Sequence, residues 1–438
     1  QAVTFGHVLG PGVRRCSRFV RRGLRPAEPA PARLYTDSLI YPQGAGYPHQ
    51  PPAGRLFYGD NLALMAALLP EYENRVDLIY ADPPFFTNRS YPARVGRGED
   101  SRKPRHWRLA EGYPDSWPDL ESYLDMLYPR LVLMHRLLAP TGALYLHLDW
   151  HANAYARVLL DEIFGPERLI NEIVWVYHGP SPIRSAFNRK HDTILAYSKS
   201  KDYTFNVDAV REPYDPNTVK TFAASRKAGF GKIPDLERGK VPEDWWYFPV
   251  VARLHTERTG YPTQKPQALI DRILLASSNP GDLVADFFSG SGTTAVRAAH
   301  HGRRFLASDT AWRAVHTTRA RLVAGQSKAA FSLEVDATLP PLAQALPVAE
   351  APLVRCLPAA SAQPEGATLR LEAGSLPELD YWEIDPDWDG KVFHSAAQAV
   401  RPIGKKAPIP LELAVPIKKA GCQACLRLVA VSGECYQL

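Results

Sequence analysis

The sequence predicts an α/β protein: a doubly wound, mostly parallel sheet followed by a small C-terminal β-rich appendage. Three observations carry this. From Arg55 to Leu322, short apolar runs alternate with stretches of helical periodicity, the pattern of strands joined by crossover helices. Asp82 and Asp286 each end such a run, and parallel sheets collect their ligands at the C-terminal ends of their strands. A glycine turn, Ser289-Gly290-Ser291-Gly292-Thr293, follows the second run and opens a helix.

Taken in order, residues 1–53 carry Pro26, Pro29, Pro31, Pro42, Pro48, Pro51 and Pro52, which exclude long helices and central strands. They read as a poorly ordered basic arm. Its early arginines, Arg14 to Arg25, suit either a transit peptide or a DNA-touching arm. The alternation then starts with strand Arg55–Tyr58, helix Leu62–Leu69 and strand Val76–Tyr80, whose end delivers Asp82. Leu120, Tyr123, Leu127, Leu131, Met134 and Leu138 share one helical face, with a kink expected at Pro129 and a stop at Pro140-Thr141-Gly142. Strand Ala143–Leu148, helix Tyr155–Ile163 and strands Ile170–Tyr177 and Thr193–Tyr197 follow, closing a first half over 54–199. Residues 200–260 are irregular. The alternation resumes over 261–326 with helix Gln267–Ala276, strand Leu283–Asp286, helix Thr293–His300, strand Arg304–Ala307 and helix Ala311–Leu322. Residues 327–365 are Pro- and Ala-rich and read as a linker, and 366–438 as the appendage.

Composition narrows the function. The 438 residues are long enough for two or three domains, and no run approaches the roughly 18 uninterrupted apolar residues of a membrane span. Basic residues gather in two stretches, Arg89 to Arg108 and Arg184 to Arg258, and local basic surface attracts a phosphate polymer. The five cysteines, Cys16, Cys356, Cys422, Cys425 and Cys435, are an odd, sparse set that suits a reducing cytosol. None lies between Gly54 and Gly325, which closes any route through a cysteine nucleophile there, including methylation at cytosine C5.

The glycine turn lets backbone approach a ligand at a helix N-terminus, which favours an anionic group. It lacks the third glycine of the dinucleotide fingerprint and the Gly-Lys-Ser/Thr of a phosphate loop. One strand later Asp309 stands where an acid accepts hydrogen bonds from ribose hydroxyls, so the pocket reads as one for a nucleoside-bearing cofactor. Asp82-Pro83-Pro84-Phe85 has a different chemistry. The amino nitrogen of adenine or cytosine is a poor nucleophile because its lone pair is delocalised, and two acceptors can draw it toward tetrahedral geometry: the Asp82 carboxylate and a prolyl carbonyl, Pro83 being the favoured one. Pro84 stiffens the turn and Phe85 offers a flat face to an extruded base.

Asp82-Pro83-Pro84-Phe85, Tyr261-Pro262-Thr263-Gln264-Lys265-Pro266 and Asp286-Phe287-Phe288-Ser289-Gly290-Ser291-Gly292-Thr293 resemble motifs IV, X and I of the S-adenosylmethionine-dependent DNA amino-methyltransferases. Their order is that of the circularly permuted β group, and the resemblance spans Arg55 to Leu322. It implies a Rossmann-like methyltransferase fold, S-adenosylmethionine as cofactor and double-stranded DNA as substrate, in a prokaryotic cytoplasm. It also implies that Asp60 lies near the cofactor's adenine, Thr263 and Lys265 near its carboxylate, and Asp309 at its ribose. Asp286, Phe288, Gly290, Gly292 and Thr293 would line the remainder of the cofactor site. Phe287 stands where the family has proline. The target-recognition region falls in 200–260, where Trp245, Trp246, Tyr247 and Phe248 serve either recognition or the core. Asp as the first catalytic residue favours adenine N6 over cytosine N4; RNA or protein glutamine as the acceptor is a less favoured alternative, because such enzymes generally place the cofactor motif first. A homodimer and a cognate restriction nuclease stay open.

No metal is expected. Asp385-Pro386-Asp387-Trp388-Asp389-Gly390 opens like a calcium loop but has Ala396 at the twelfth position, where a Glu is required. Cys422, Cys425 and Cys435 lack an evident fourth zinc ligand other than distant His394.

Overall fold

The computed structural model describes residues 29–95, 105, 108–180, 183–224, 235–252, 255–345, 354–357, 366–372, 378–402, 408–416 and 423–438. The early arginines and Cys422 lie outside them.

The first half contains β1 (Leu34–Ile40), β2 (Gly54–Tyr58), α1 (Asn61–Tyr72), β3 (Val76–Ala81), β4 (Arg89–Val95), β5 (Arg108–Asp115), α2 (Leu120–Leu137), β6 (Leu138–Leu148), α3 (Asn153–Phe164), β7 (Leu169–Val176) and β8 (His191–Ser198). After these come α4 (Pro216–Ala224), β9 (Trp245–Tyr247), α5 (Gln267–Ser277), β10 (Leu283–Asp286), α6 (Thr293–His300), β11 (Arg304–Asp309), α7 (Trp312–Ala324) and β12 (Phe331–Asp336). The remaining strands are β13 (Ala343–Ala345), β14 (Val354–Leu357), β15 (Gly366–Leu371), β16 (Leu379–Asp385), β17 (Phe393–Ser395), β18 (Ala397–Val400), β19 (Glu412–Pro416), β20 (Cys425–Ala430) and β21 (Cys435–Gln437).

The main sheet runs β17-β1-β12-β2-β11-β10-β3-β6-β8-β7-β9. Its centre, from β12 to β6, is parallel. Strand residues alternate between two cores as the pleat requires. Leu78, Tyr80 and Val284 pack with Leu269, Ile273, Ala298 and Val315 of α5, α6 and α7. Ile79, Ala81 and Ala285 pack with Leu64, Leu127, Leu131 and Leu160 of α1, α2 and α3. Helices therefore cover both faces, and each fully buried leucine contributes about 2 kcal/mol. The predicted face of α2 is the buried one, and the helix continues through Pro129.

β10 lies beside β3, with Val284 opposite Leu78 and Ala285 opposite Ile79. From β3 the chain winds outward to β6, and from β10 it winds the other way to β11. The seam between β3 and β10 is thus the switch point at which an open α/β sheet forms its binding crevice.

Three expectations need correction. The arm does not extend to residue 53: β1 pairs antiparallel with β12, and Ile40 and Tyr41 are buried. Nor is 327–365 linker throughout, because β12 is buried along its whole length and pairs parallel with β2. The helix expected to stop at Pro140-Thr141-Gly142 ends earlier, at Leu137, and those three residues lie within β6, which starts at Leu138. In each case pairing with a distant strand outweighs local Pro and charge content.

The appendage folds as two small sheets, β13-β21-β20-β16-β18 and β14-β15-β19, while β17 joins the main sheet beside β1. It is fastened to α7 by buried ion pairs: Arg319 with Glu383 at 3.1 Å, and Arg313 with Asp380 at 2.8 Å. Among the described residues no helix is long and apolar enough to cross a membrane, and no cluster of three metal-binding side chains occurs. Cys425 and Cys435 are buried and unbridged.

Candidate active site

A cleft of about 260 Å³ opens at the seam between β3 and β10. Asp82 and Pro84 line it from the front of the chain; Thr263, Lys265, Asp286, Phe288, Gly290, Thr293 and Asp309 line it from the back. Of the remaining predicted residues, Gly292 is the N-cap of α6 between the lining residues Ser291 and Thr293, while Pro83 and Phe85 belong to the loop that carries Asp82.

That loop is held in a high-energy shape. Phe86 and Asn88 have φ of 66° and 54°, a region costly for residues with a Cβ. Asp115, at the end of β5, compensates: its carboxylate accepts hydrogen bonds from the N–H groups of Phe85, Phe86 and Thr87 and from the Thr87 hydroxyl. Tyr123 donates its hydroxyl to the Pro84 carbonyl at 2.8 Å. The Phe85 ring stacks on His147, with centroids 5.8 Å apart and planes 26° from parallel. His147 is fully buried, bonded to the Tyr80 hydroxyl at 2.7 Å and to Asp192 at 3.3 Å.

Asp82 is divided between two tasks. Its Oδ2 is paired with the Lys265 ammonium, which also lies 5.2 Å from the Phe85 ring centroid. Its Oδ1 is buried and has no hydrogen-bond partner, an orphan acceptor in a cleft-lining residue. The ammonium of Lys265 is therefore paired with the loop that carries Asp82, while the residue also lines the cleft and its backbone carbonyl accepts from Thr293 beside the glycine turn.

Gly290 and Gly292 have φ of 50° and 76°, and Gly292 caps α6. A Cβ on Gly292 would come within 2.3–2.7 Å of the Thr318 side chain. Asp309 accepts from the N–H groups of Gly290 at 2.8 Å and Ala311 at 2.9 Å. Burial raises its carboxyl to about 6. Asp286 is raised to about 7 by burial, against opposing hydrogen bonds from Thr294 and the Phe288 N–H. Thr263 is exposed at the mouth, with φ of 54°, and shares a hydrogen bond with the Tyr113 hydroxyl. A crevice with a helix N-terminus, an acid one strand along and apolar walls fits a nucleoside-bearing cofactor.

Asp60 does not line the cleft. It caps α1 through the Leu62 N–H and pairs with Arg130. Its neighbour Asn61 is the lining residue, held by the Phe287 carbonyl and Arg130. Sequence reasoning also missed Asp115, His147, Tyr113 and Tyr261. Only Tyr261 carried a signal, its place at the head of Tyr-Pro-Thr-Gln-Lys-Pro. In the 200–260 stretch, β9 alternates: Trp246 is buried, whereas Trp245 and Tyr247 are 60% and 51% exposed, so the aromatics are both core and surface.

A family model described as DNA methylase matches residues 76–319. DNA adenine methyltransferase YhdJ of Escherichia coli (strain K12) is 31% identical over 256 residues, covering 58% of this chain and 77% of that protein. Type II methyltransferase M.BglII of Bacillus subtilis is 30% identical over 262 residues, covering 58% of this chain and 65% of that one. Among solved structures, a DNA modification methylase from Thermus thermophilus, complexed with S-adenosyl-L-methionine, is 24% identical with a TM-score of 0.40, over 64% of this chain and 97% of that one.

Proposed function

The chain belongs to the DNA methylase family, and from that premise we propose that it transfers a methyl group from S-adenosylmethionine to N6 of adenine in double-stranded DNA. The observation that carries the reading is the buried, unpaired Oδ1 of Asp82, a residue that lines a cleft whose other wall is the glycine turn. The adenine-methyltransferase name of the YhdJ relative supports the choice of base. The type II name of the M.BglII relative supports a place in restriction–modification beside a cognate nuclease.

The residues present fit the cofactor. Asp309 would take its ribose hydroxyls, Asn61, Phe288 and Tyr261 would flank it, and Gly290 with Thr293 would admit its polar end to the α6 N-terminus. When bound, S-adenosylmethionine supplies an electrophilic methyl on a sulfonium. The chain supplies the rest. Lys265 fixes one oxygen of Asp82 and the other is left without a partner, so the carboxylate is preorganised to accept from an amino group. Asp82 Oδ1 and the Pro83 carbonyl accept the two N–H bonds of that amino group, and Asp82 receives the proton shed as the nitrogen is alkylated. Phe85, fixed by its stack on His147, presents a surface for the extruded base.

Incubation with methyl-labelled cofactor and separate duplex DNA, RNA and protein tests the assignment, followed by digestion of the DNA to nucleosides. Label in N6-methyl-2′-deoxyadenosine is expected; label confined to RNA or protein, or recovered as N4-methyl-2′-deoxycytidine, overturns it.

The elevated Asp309 carboxyl yields a pH signature. An acid raised by burial stabilises the fold most below the ordinary carboxylate range, and that contribution is lost as pH rises through about 6. Cofactor binding runs the other way, because ribose hydroxyls need the ionised form. Cofactor Kd should be flat above about 6 and rise roughly tenfold per pH unit below it, measured by calorimetric titration. Asp309→Asn should bind more weakly at neutral pH and lose the slope in that range; a slope that survives the substitution excludes Asp309 as its source.

A further inference from the structure

The β7–β8 hairpin leaves the sheet at the same edge as the catalytic loop. β6 is parallel to β3, with Leu146 opposite Ala81. β8 returns beside β6 with Thr193 opposite Leu148, and Val176 of β7 faces His191. The hairpin therefore projects from the edge that carries Asp82. Its neck is closed by the Tyr177 N–H on the Lys190 carbonyl at 3.0 Å. Its tip is clamped by Asn188, which accepts from the Ile183 N–H and donates to the Ile183 carbonyl. At that tip Phe187 is 97% exposed, between exposed Arg184 and Arg189. Arg189 lies 4.1 Å over the half-exposed Trp150 ring.

A single exposed apolar residue is ordinarily without meaning. Here the ring is held on a braced loop, flanked by cations, on the catalytic edge. The base of the hairpin also reaches the reaction centre: Asp192 bonds His147, and His147 stacks on Phe85.

We propose that Phe187 is a wedge that enters the duplex beside the target base and occupies the gap left when that base is extruded, with Arg184 and Arg189 holding the flanking phosphates. This rests on the reading of the chain as a duplex-DNA methyltransferase. An extruded base leaves its neighbours unstacked, and a flat apolar ring inserted between base steps recovers part of that loss. The occupant is duplex DNA because the tip offers an aromatic ring among positive charges, the pairing that suits stacked bases inside a phosphate backbone.

The test compares Phe187→Ala with the wild type on a paired duplex and on the same duplex with an abasic site opposite the target. There no base pair holds the target in the stack, so extrusion is already favoured and the ring's contribution no longer limits transfer. On the paired duplex, kcat/KM should fall roughly tenfold or more; on the abasic duplex the deficit should shrink to within about threefold. Phe187→Trp should retain activity on both. Unchanged activity of Phe187→Ala on paired DNA, or an equal loss on both duplexes, overturns the wedge while leaving the methyltransferase reading intact. A wild type that methylates neither duplex overturns both.

Discussion

Replacing Asp82 with alanine should lower single-turnover methyl transfer by about a thousandfold or more and leave the dissociation constant for S-adenosylmethionine within about threefold. The first expectation follows from the two tasks assigned to the carboxylate, polarising the amino group and taking its proton. The second follows from position: Asp82 ends β3, while the glycine turn and Asp309 follow β10 and β11. The alanine variant also leaves Lys265, 8% exposed, without its partner, so thermal stability should drop as well. Asp82→Asn separates the effects. An amide can still accept an N–H bond and is nearly isosteric, but it cannot take a proton or balance the ammonium. It should fold and bind cofactor, yet transfer at a rate close to that of the alanine variant. Transfer within tenfold of wild type in either variant would remove Asp82 from the chemistry.

What could be read from the sequence was what local chemistry determines. An apolar strand ending in Asp82-Pro83-Pro84-Phe85 and a strand ending in Asp286 before two glycines are contiguous signals, and the α/β alternation follows from hydrophobic period alone. That the two loops meet depends on β10 lying beside β3, two strands separated by some two hundred residues. The strand order was not written in either segment; the permuted-family resemblance implied it. Asp115 escaped notice for a similar reason. Nothing near it announces that its carboxylate will hold three backbone N–H groups of a loop almost thirty residues earlier. His147 sits in the apolar run of β6 and looks like core; its work comes from Tyr80, Asp192 and Phe85, contributed by three other segments. Asp60 shows the converse error. It precedes a helix, and helix-capping claimed it, so the cleft received Asn61 instead. β1 and β12 were hidden by prolines and alanines around them, although β1 pairs with β12 and β17 and β12 also with β2.

Gly292→Val should abolish measurable cofactor binding, a rise in Kd of about a hundredfold or more, and with it all transfer to DNA. Two costs combine at this position. The backbone is left-handed at φ 76°, where a β-branched residue is least tolerated. The new side chain would also meet Thr318 at distances no Cβ adopts, so the turn must move, and with it the first N–H groups of α6 and the neighbouring Gly290 whose N–H is held by Asp309. Gly292→Ala combined with Thr318→Gly isolates the first cost. Every clashing atom of the Thr318 side chain, its Cβ included, is then gone, but the left-handed backbone is not, so binding should recover only in part relative to Gly292→Ala alone. Thermal melts with and without cofactor provide the readout: a cofactor-induced rise in Tm for wild type, none for the valine variant, and an intermediate rise for the double variant. A valine variant whose Tm responds to cofactor as wild type does would show that the glycine turn is not the cofactor's wall, and the pairing of this turn with Asp82 across one transferable methyl would then have no support.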